Sequence, residues 1–264
     1  MTSPFKDGIL EGKVAFIAGG TSGINLGIAK RLAQLGAHVA VCGRNPEKAA
    51  GAAAEIGPDA LGLSADVRDF GAIRGALEQT RNRFGPLDIV VSGAAGNFLA
   101  PVLGMSANAF KSVVDIDLLG TFNVFRACHD LLALPGASLI AITAGQAVNP
   151  MQLQAHACAA KAGINQLVRV LALEWGGDVR VNGISPGPIE GTEGMARLAP
   201  DPATKAKHFE RIALKRWGHI DEIAEGAVFL CSDAAKYITG TILDIDGGSQ
   251  LGDATQRNVQ RGLA

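Results

Sequence analysis

A short apolar run meets a helix-patterned segment in the stretch Val14-Ala-Phe-Ile-Ala-Gly19-Gly-Thr-Ser-Gly23-Ile-Asn-Leu-Gly27. Glycines in such a turn let backbone N–H groups approach a pyrophosphate, and the first turn of the helix that follows favours its negative charge. Gly19, Thr21, Ser22, Gly23 and Ile24 are therefore candidate dinucleotide contacts. The next apolar run ends in Cys42-Gly43-Arg44-Asn45, with no acid at the strand end. A carboxylate there would take the ribose 2′-hydroxyl of NAD, whereas an arginine accommodates the 2′-phosphate of NADP. Arg44 thus points to NADPH. A purely structural turn and a solvated loop arginine are the bland alternatives, and the strand–turn–helix context favours the cofactor.

These residues need a scaffold, and the chain's periodicity supplies one. Short apolar runs at 14–18, 38–42, 60–64, 87–92, 138–143, 179–184 and 241–246 read as strands. Segments of helical period lie between them, at 24–35, 46–56, 70–84, 153–175 and 221–231. A further long helix is expected over 107–132, with a break near its start. Near-continuous apolar strands separated by helices imply a parallel sheet covered on both faces. No linker, repeat or low-complexity stretch divides residues 1–264. The expectation is a single α/β domain, a doubly wound parallel sheet of about seven strands. A polar, Gly/Pro-rich stretch from Ser185 to about Asp201 reads as a mobile substrate loop, which extends over about 185–215.

Composition narrows the function. With 264 residues, 48% hydrophobic, 19% charged and a net charge of −1, the chain is globular and lacks the basic excess of a nucleic-acid binder. Cys42, Cys128, Cys158 and Cys231 form no C-x-x-C pair, so they read as reduced thiols, with no metal site and no disulfide framework. No uncharged apolar stretch approaches the ~20 residues that span a bilayer. Nothing resembles a signal peptide, and the final Arg-Gly-Leu-Ala is not a peroxisomal address. A soluble, cytoplasmic protein without membrane or nucleic-acid partners is expected.

Gly19 and Gly23 match the pattern T-G-x-x-x-G-x-G, with Ala18 in place of Thr and Asn25 in place of the third Gly. From Lys13 to Gly248 the sequence resembles the short-chain dehydrogenase/reductase family, which implies a Rossmann-like fold. The resemblance implies that Asp66 and Val67 lie beside the adenine. It sets Gly93-Ala94-Ala95-Gly96 where the family carries Asn-Asn-Ala-Gly, and Pro186-Gly187-Pro188-Ile189 on the nicotinamide side.

The family's usual Tyr-x-x-x-Lys pair is incomplete. Lys161 is present, but Ala157 takes the tyrosine position, Ala144 takes that of the serine, and the chain's one tyrosine, Tyr237, lies elsewhere. The family's helix Asn falls on Asp117. One subgroup, the peroxisomal-type 2,4-dienoyl-CoA reductases, shares these absences. It is similar in Ala94-Ala-Gly-Asn-Phe-Leu99, Asp115-Ile-Asp117, Gly120-Thr-Phe-Asn123, Gln154-Ala-His156-Ala157 and Pro186 to Gly194. This resemblance implies NADPH-dependent reduction of a 2,4-dienoyl-CoA to a 3-enoyl-CoA, with hydride arriving at C5. Asp117 and Lys161 would orient the water that protonates C2, or Lys161 would only contact the nicotinamide ribose, and a homotetramer is implied. Asn97 or Thr143 would donate to the thioester. His156 borders the lost tyrosine and either touches substrate or is a hydrogen-bonded, partly buried histidine, and Phe98 and Met105 line an acyl groove or belong to the ordinary core. Arg197, Lys205, Lys207, His208 and Arg211 form a cluster suited to CoA phosphates or to a solvated helix face. Two other readings stay open: a reductase of another conjugated carbonyl compound, and a catalytically silent NADP-binding regulatory protein.

Overall fold

The computed structural model describes residues 4–192, 194–195, 201–252 and 254, which alternate strand and helix from end to end. In chain order the first half comprises β1 (Val14–Ala18), α1 (Gly23–Gln34), β2 (His38–Gly43), α2 (Pro46–Ile56), β3 (Leu61–Ser64), α3 (Phe70–Phe84) and β4 (Ile89–Ser92). Next come α4 (Ala107–Val114), a π-helical turn (Asp115–Leu119), α5 (Gly120–Cys128), β5 (Ala137–Ile142) and α6 (Ala155–Trp175). β6 (Val179–Pro186), α7 (Pro202–Arg211), α8 (Ile220–Cys231) and β7 (Ile242–Ile245) complete the series.

Alternate side chains of a strand point to opposite faces of its sheet. All five residues of β1 are buried, so both faces of the sheet must be covered. Val14, Phe16 and Ala18 pack with Ile73 and Leu77 of α3, Phe125 of α5 and Val168 of α6. Ala15 and Ile17 pack on the other face with Ile28 and Leu32 of α1 and Ile223 and Val228 of α8. The seven strands are parallel, in the order β3-β2-β1-β4-β5-β6-β7. Between β1 and β4 the order reverses. Helices leave the two strands on opposite faces there, and a crevice opens beyond their carboxyl ends.

Element limits differ from the sequence expectation by one or two residues in most places, with two larger differences. The expected helix over 107–132 is interrupted in its middle, by the π-helical turn, and not near its start. Its N-terminus is regular, with Ser106 Oγ accepting from Ala109 N at 3.1 Å. At the turn, Thr121 Oγ1 donates to the Asp117 carbonyl at 2.7 Å, a side-chain bond that competes with the helical pattern. The expected loop from Ser185 is shortened at its start, because Ser185 and Pro186 continue β6 and pair with Asp244 and Ile245 of β7. Its far part holds α7, which Asp201 caps through Thr204 N at 2.9 Å. Residues 193 and 196–200, including Arg197, lie outside the described residues.

Candidate active site

A cavity of about 360 Å³ occupies the crevice beyond β1 to β4. Gly19, Thr21 and Ser22 line it from the β1–α1 turn, and Ala94, Ala95 and Gly96 line it from the segment after β4. Gly19 meets two requirements. Its φ is +77°, and a Cβ there would lie 2.6 Å from Ala94 N. Ser22 is the N-cap of α1 but makes no side-chain capping bond, so the positive end of the helix borders the cavity. Gly23 opens α1 and Ile24 follows it; neither lines the cavity.

The outer wall carries Arg44, Asp66 and Val67. Arg68 holds Asp66 through Nε at 3.0 Å and Nη2 at 2.6 Å, which keeps the carboxyl below the usual range. Val67 is fixed from α5: Asn123 Nδ2 donates to its carbonyl at 2.9 Å, and a Cβ on Gly120 would lie 2.7 Å from its Cγ2. The sequence showed Gly120-Thr-Phe-Asn123 only as a shared motif; its work is to hold this wall. Arg44 is exposed, and among the described residues its guanidinium has no hydrogen-bond partner. Asn25 Oδ1 is a buried acceptor without a partner among the described residues. Open backbone, a helix N-terminus, a cation at the rim and an orphaned acceptor together suit a dinucleotide.

Beyond Gly96 lies the charged pair. Asp117 sits on the π-helical turn, 1% exposed, which excludes a helix-surface carboxylate. Gly96 N donates to its Oδ1 at 2.8 Å, and Lys161 Nζ of α6 is 3.2 Å from its Oδ2. Lys161 Nζ also donates to the Ile142 carbonyl at 3.1 Å. An ammonium has three N–H donors, and the one hydrogen bond shown for this one goes to Ile142, so donors remain for a water or a substrate oxygen. Ala157 and Ala144 place no hydroxyl where the usual chemistry of the resembled family needs one.

The remaining candidates divide. Thr143 is buried, and its hydroxyl donates to Asn165 Oδ1 at 2.7 Å, which commits its proton to the core. Asn97 Nδ2 donates to Gln154 Oε1 at 2.7 Å, and Gln146 Nε2 shares that acceptor at 3.2 Å. His156 is fully buried: Nδ1 accepts from Ala157 N at 2.8 Å, and Nε2 has no partner among the described residues. Phe98 meets its ring edge to face at 4.3 Å and is itself partly exposed. Pro186 ends β6, and Gly187 passes so close to β7 that a Cβ would lie 2.5 Å from Asp246 Cα. Ile189 lines a different cavity, of about 400 Å³, with Arg216 and Asp246. In the basic cluster, Lys205 is paired with Glu190 and lies 4.7 Å from the Trp217 ring centroid, whereas Lys207 is exposed. Asn165 escaped the sequence reading, and Gln154 entered it only as part of a shared motif, because amides at such spacing carry no signal of their own.

Among the described residues no group of three or more His, Cys, Asp or Glu is placed to hold a metal ion. None of the described helices is long and apolar enough to cross a membrane.

The chain is similar to known proteins over most of its length. A family model described as enoyl-(acyl carrier protein) reductase matches residues 18–250. The peroxisomal 2,4-dienoyl-CoA reductase, (3E)-enoyl-CoA-producing, of Danio rerio is 41% identical over 259 residues, covering 96% of this chain and 86% of the relative. The Saccharomyces cerevisiae protein of the same description is 42% identical over 248 residues, covering 91% and 85%. Among solved structures, a short-chain dehydrogenase from Bacillus anthracis superposes with a TM-score of 0.81 at 36% identity, covering 90% of this chain and 96% of that one.

Proposed function

The chain belongs to the short-chain dehydrogenase/reductase family, and on that premise we propose that it reduces 2,4-dienoyl-CoA to 3-enoyl-CoA with NADPH. The observation that carries this reading is the buried Lys161–Asp117 pair beside Ala157. A ketone reductase needs an acidic hydroxyl at the carbonyl oxygen; this site offers instead a fixed cation and a fixed carboxylate. The descriptions of the Danio rerio and Saccharomyces cerevisiae relatives support the same substrate.

The nicotinamide nucleotide supplies the hydride when bound. Arg44 supports NADPH over NADH, because a guanidinium with no hydrogen-bond partner among the described residues can meet a 2′-phosphate with paired hydrogen bonds. Asp66 and Val67 would flank the adenine, and the Gly19 turn and the start of α1 would hold the pyrophosphate. Ala94, Ala95 and Gly96, with the Pro186–Ile189 segment, would border the nicotinamide end.

Hydride arrival at C5 of a 2,4-dienoyl thioester spreads negative charge to the thioester oxygen as a dienolate. Protonation at C2 then leaves the 3-enoyl product. Lys161 and Asp117 orient the water that delivers this proton: Asp117 accepts from its other hydrogen, a free N–H of Lys161 donates to its oxygen, and the hydroxide left behind regains a proton from solvent. Of the two thioester donors read from the sequence, Asn97 is retained, through its second amide hydrogen. Phe98 closes the acyl side over His156. The assembly implied by the family is a homotetramer, readable by light scattering. The test of function is NADPH consumption with 2,4-hexadienoyl-CoA, with the position of the product double bond fixed by NMR.

A further inference from the structure

Asn25 is the third residue of α1, and only 9% of it is exposed. Its amide reaches across the crevice floor. Nδ2 donates to the Gly19 carbonyl at 3.2 Å and to the Gly93 carbonyl at 2.8 Å. Gly19 belongs to the turn after β1, and Gly93 follows directly after β4. One side chain therefore ties together the two turns that line the cavity. The amide orientation is fixed, since a flip would aim Oδ1 at two carbonyl oxygens.

Residue 93 is part of the same arrangement. A Cβ there would lie 2.3 Å from Asn25 Oδ1, 2.5 Å from Nδ2 and 2.6 Å from Cγ. The amide occupies the volume that any side chain at position 93 would take. We propose that Asn25 is a positioning residue of the dinucleotide site, locking the Gly19 turn to the Gly93 turn, and that a bare residue 93 is the condition for this lock. The proposal rests on the reading of the cavity as a nicotinamide-nucleotide site. The electrostatic effect has a definite sign. Carbonyl oxygens are partly negative, and the amide takes up two of them beside a site that must hold phosphates.

The test uses the purified protein and four variants: Asn25→Gly, Asn25→Asp, Gly93→Ala and the double variant Asn25→Gly/Gly93→Ala. NADPH affinity is read by calorimetry, and the melting temperature without ligand shows that each protein is folded. Asn25→Gly and Gly93→Ala should each weaken NADPH by about tenfold or more. The double variant should be no weaker than the worse single one, because the alanine then has nothing to displace. Asn25→Asp should be worse than Asn25→Gly despite its matching size, since it sets an oxygen against two carbonyls and adds negative charge near the phosphates. Should Gly93→Ala fail to fold, the double variant against Asn25→Gly carries the comparison. Unchanged affinity in Asn25→Gly, multiplied losses in the double variant, or a harmless Asn25→Asp would each overturn the proposal. A wild-type protein that binds no nicotinamide nucleotide would instead defeat the functional reading beneath it.

Discussion

Lys161 Nζ lies 3.2 Å from Asp117 Oδ2, with the two side chains 10% and 1% exposed. A buried ion pair recovers its desolvation cost only when its remaining hydrogen-bonding capacity is used. Here Gly96 N and the Ile142 carbonyl supply two further bonds, and ammonium hydrogen stays available for chemistry. The pair joins the segment after β4, the π-helical turn, β5 and α6 at one point.

Asp117→Ala should lower turnover by about tenfold or more while leaving NADPH affinity unchanged. It also strands a buried ammonium, so equilibrium denaturation should show a loss of roughly 3–5 kcal/mol. Asp117→Asn keeps the shape and separates the two effects: turnover should fall with a smaller loss of stability. Steady-state kinetics with normal turnover in both variants would remove Asp117 from the mechanism.

Arg44→Ala should weaken NADPH much more than NADH, because the 2′-phosphate is all that distinguishes the two cofactors. Titration of both nucleotides against wild-type and variant protein measures the ratio. Equal losses would contradict a 2′-phosphate contact.

The parts of this site differed in how far the sequence disclosed them. The strands were legible because burial on both faces leaves continuous apolar runs, as in Val14–Ala18. The glycine turn was legible because few residues other than glycine allow so close a backbone approach. The π-helical turn was not, since Asp115-Ile-Asp-Leu-Leu119 keeps its apolar residues at helical spacing while the hydrogen bonds change register. The nearness of Lys161 to Asp117 came from family resemblance alone, as no local pattern links two residues so far apart in the chain. Thr143 was read as a substrate donor from the family resemblance; its partner Asn165, on another element, turns its hydroxyl into the core.

The thiols should react in a fixed order. Burial pushes the Cys42 thiol up to about 12 and raises Cys128 as well, so neither supplies thiolate near neutrality. Cys158 is only half-buried. Iodoacetamide on the native protein at about pH 8 should label Cys158 first, and mass spectrometry should find Cys42 and Cys128 unmodified. Early labelling of Cys42 would mean that β2 opens readily.

Acid should weaken the anchorage of α8. Arg216 beside Glu222 lowers the Glu222 carboxyl to about 2, and Glu222 also accepts from His219 N at 2.8 Å. A depressed carboxylate contributes stability above its ordinary range and loses it as pH falls toward the depressed value. Glu222→Gln should therefore be less stable than wild type near neutrality, with the gap closing between about pH 4.5 and pH 2. A gap that stays constant through that window, followed by denaturation at each pH, would show that the ion pair contributes nothing.

The most direct measurement mixes purified protein, NADPH and 2,4-hexadienoyl-CoA, follows the loss of NADPH absorbance and identifies the thioester formed. The proposed function predicts stoichiometric NADPH oxidation with a 3-enoyl-CoA product, and deuterium at C2 when the solvent is deuterated water. NADPH binding without consumption of the dienoyl thioester would contradict it.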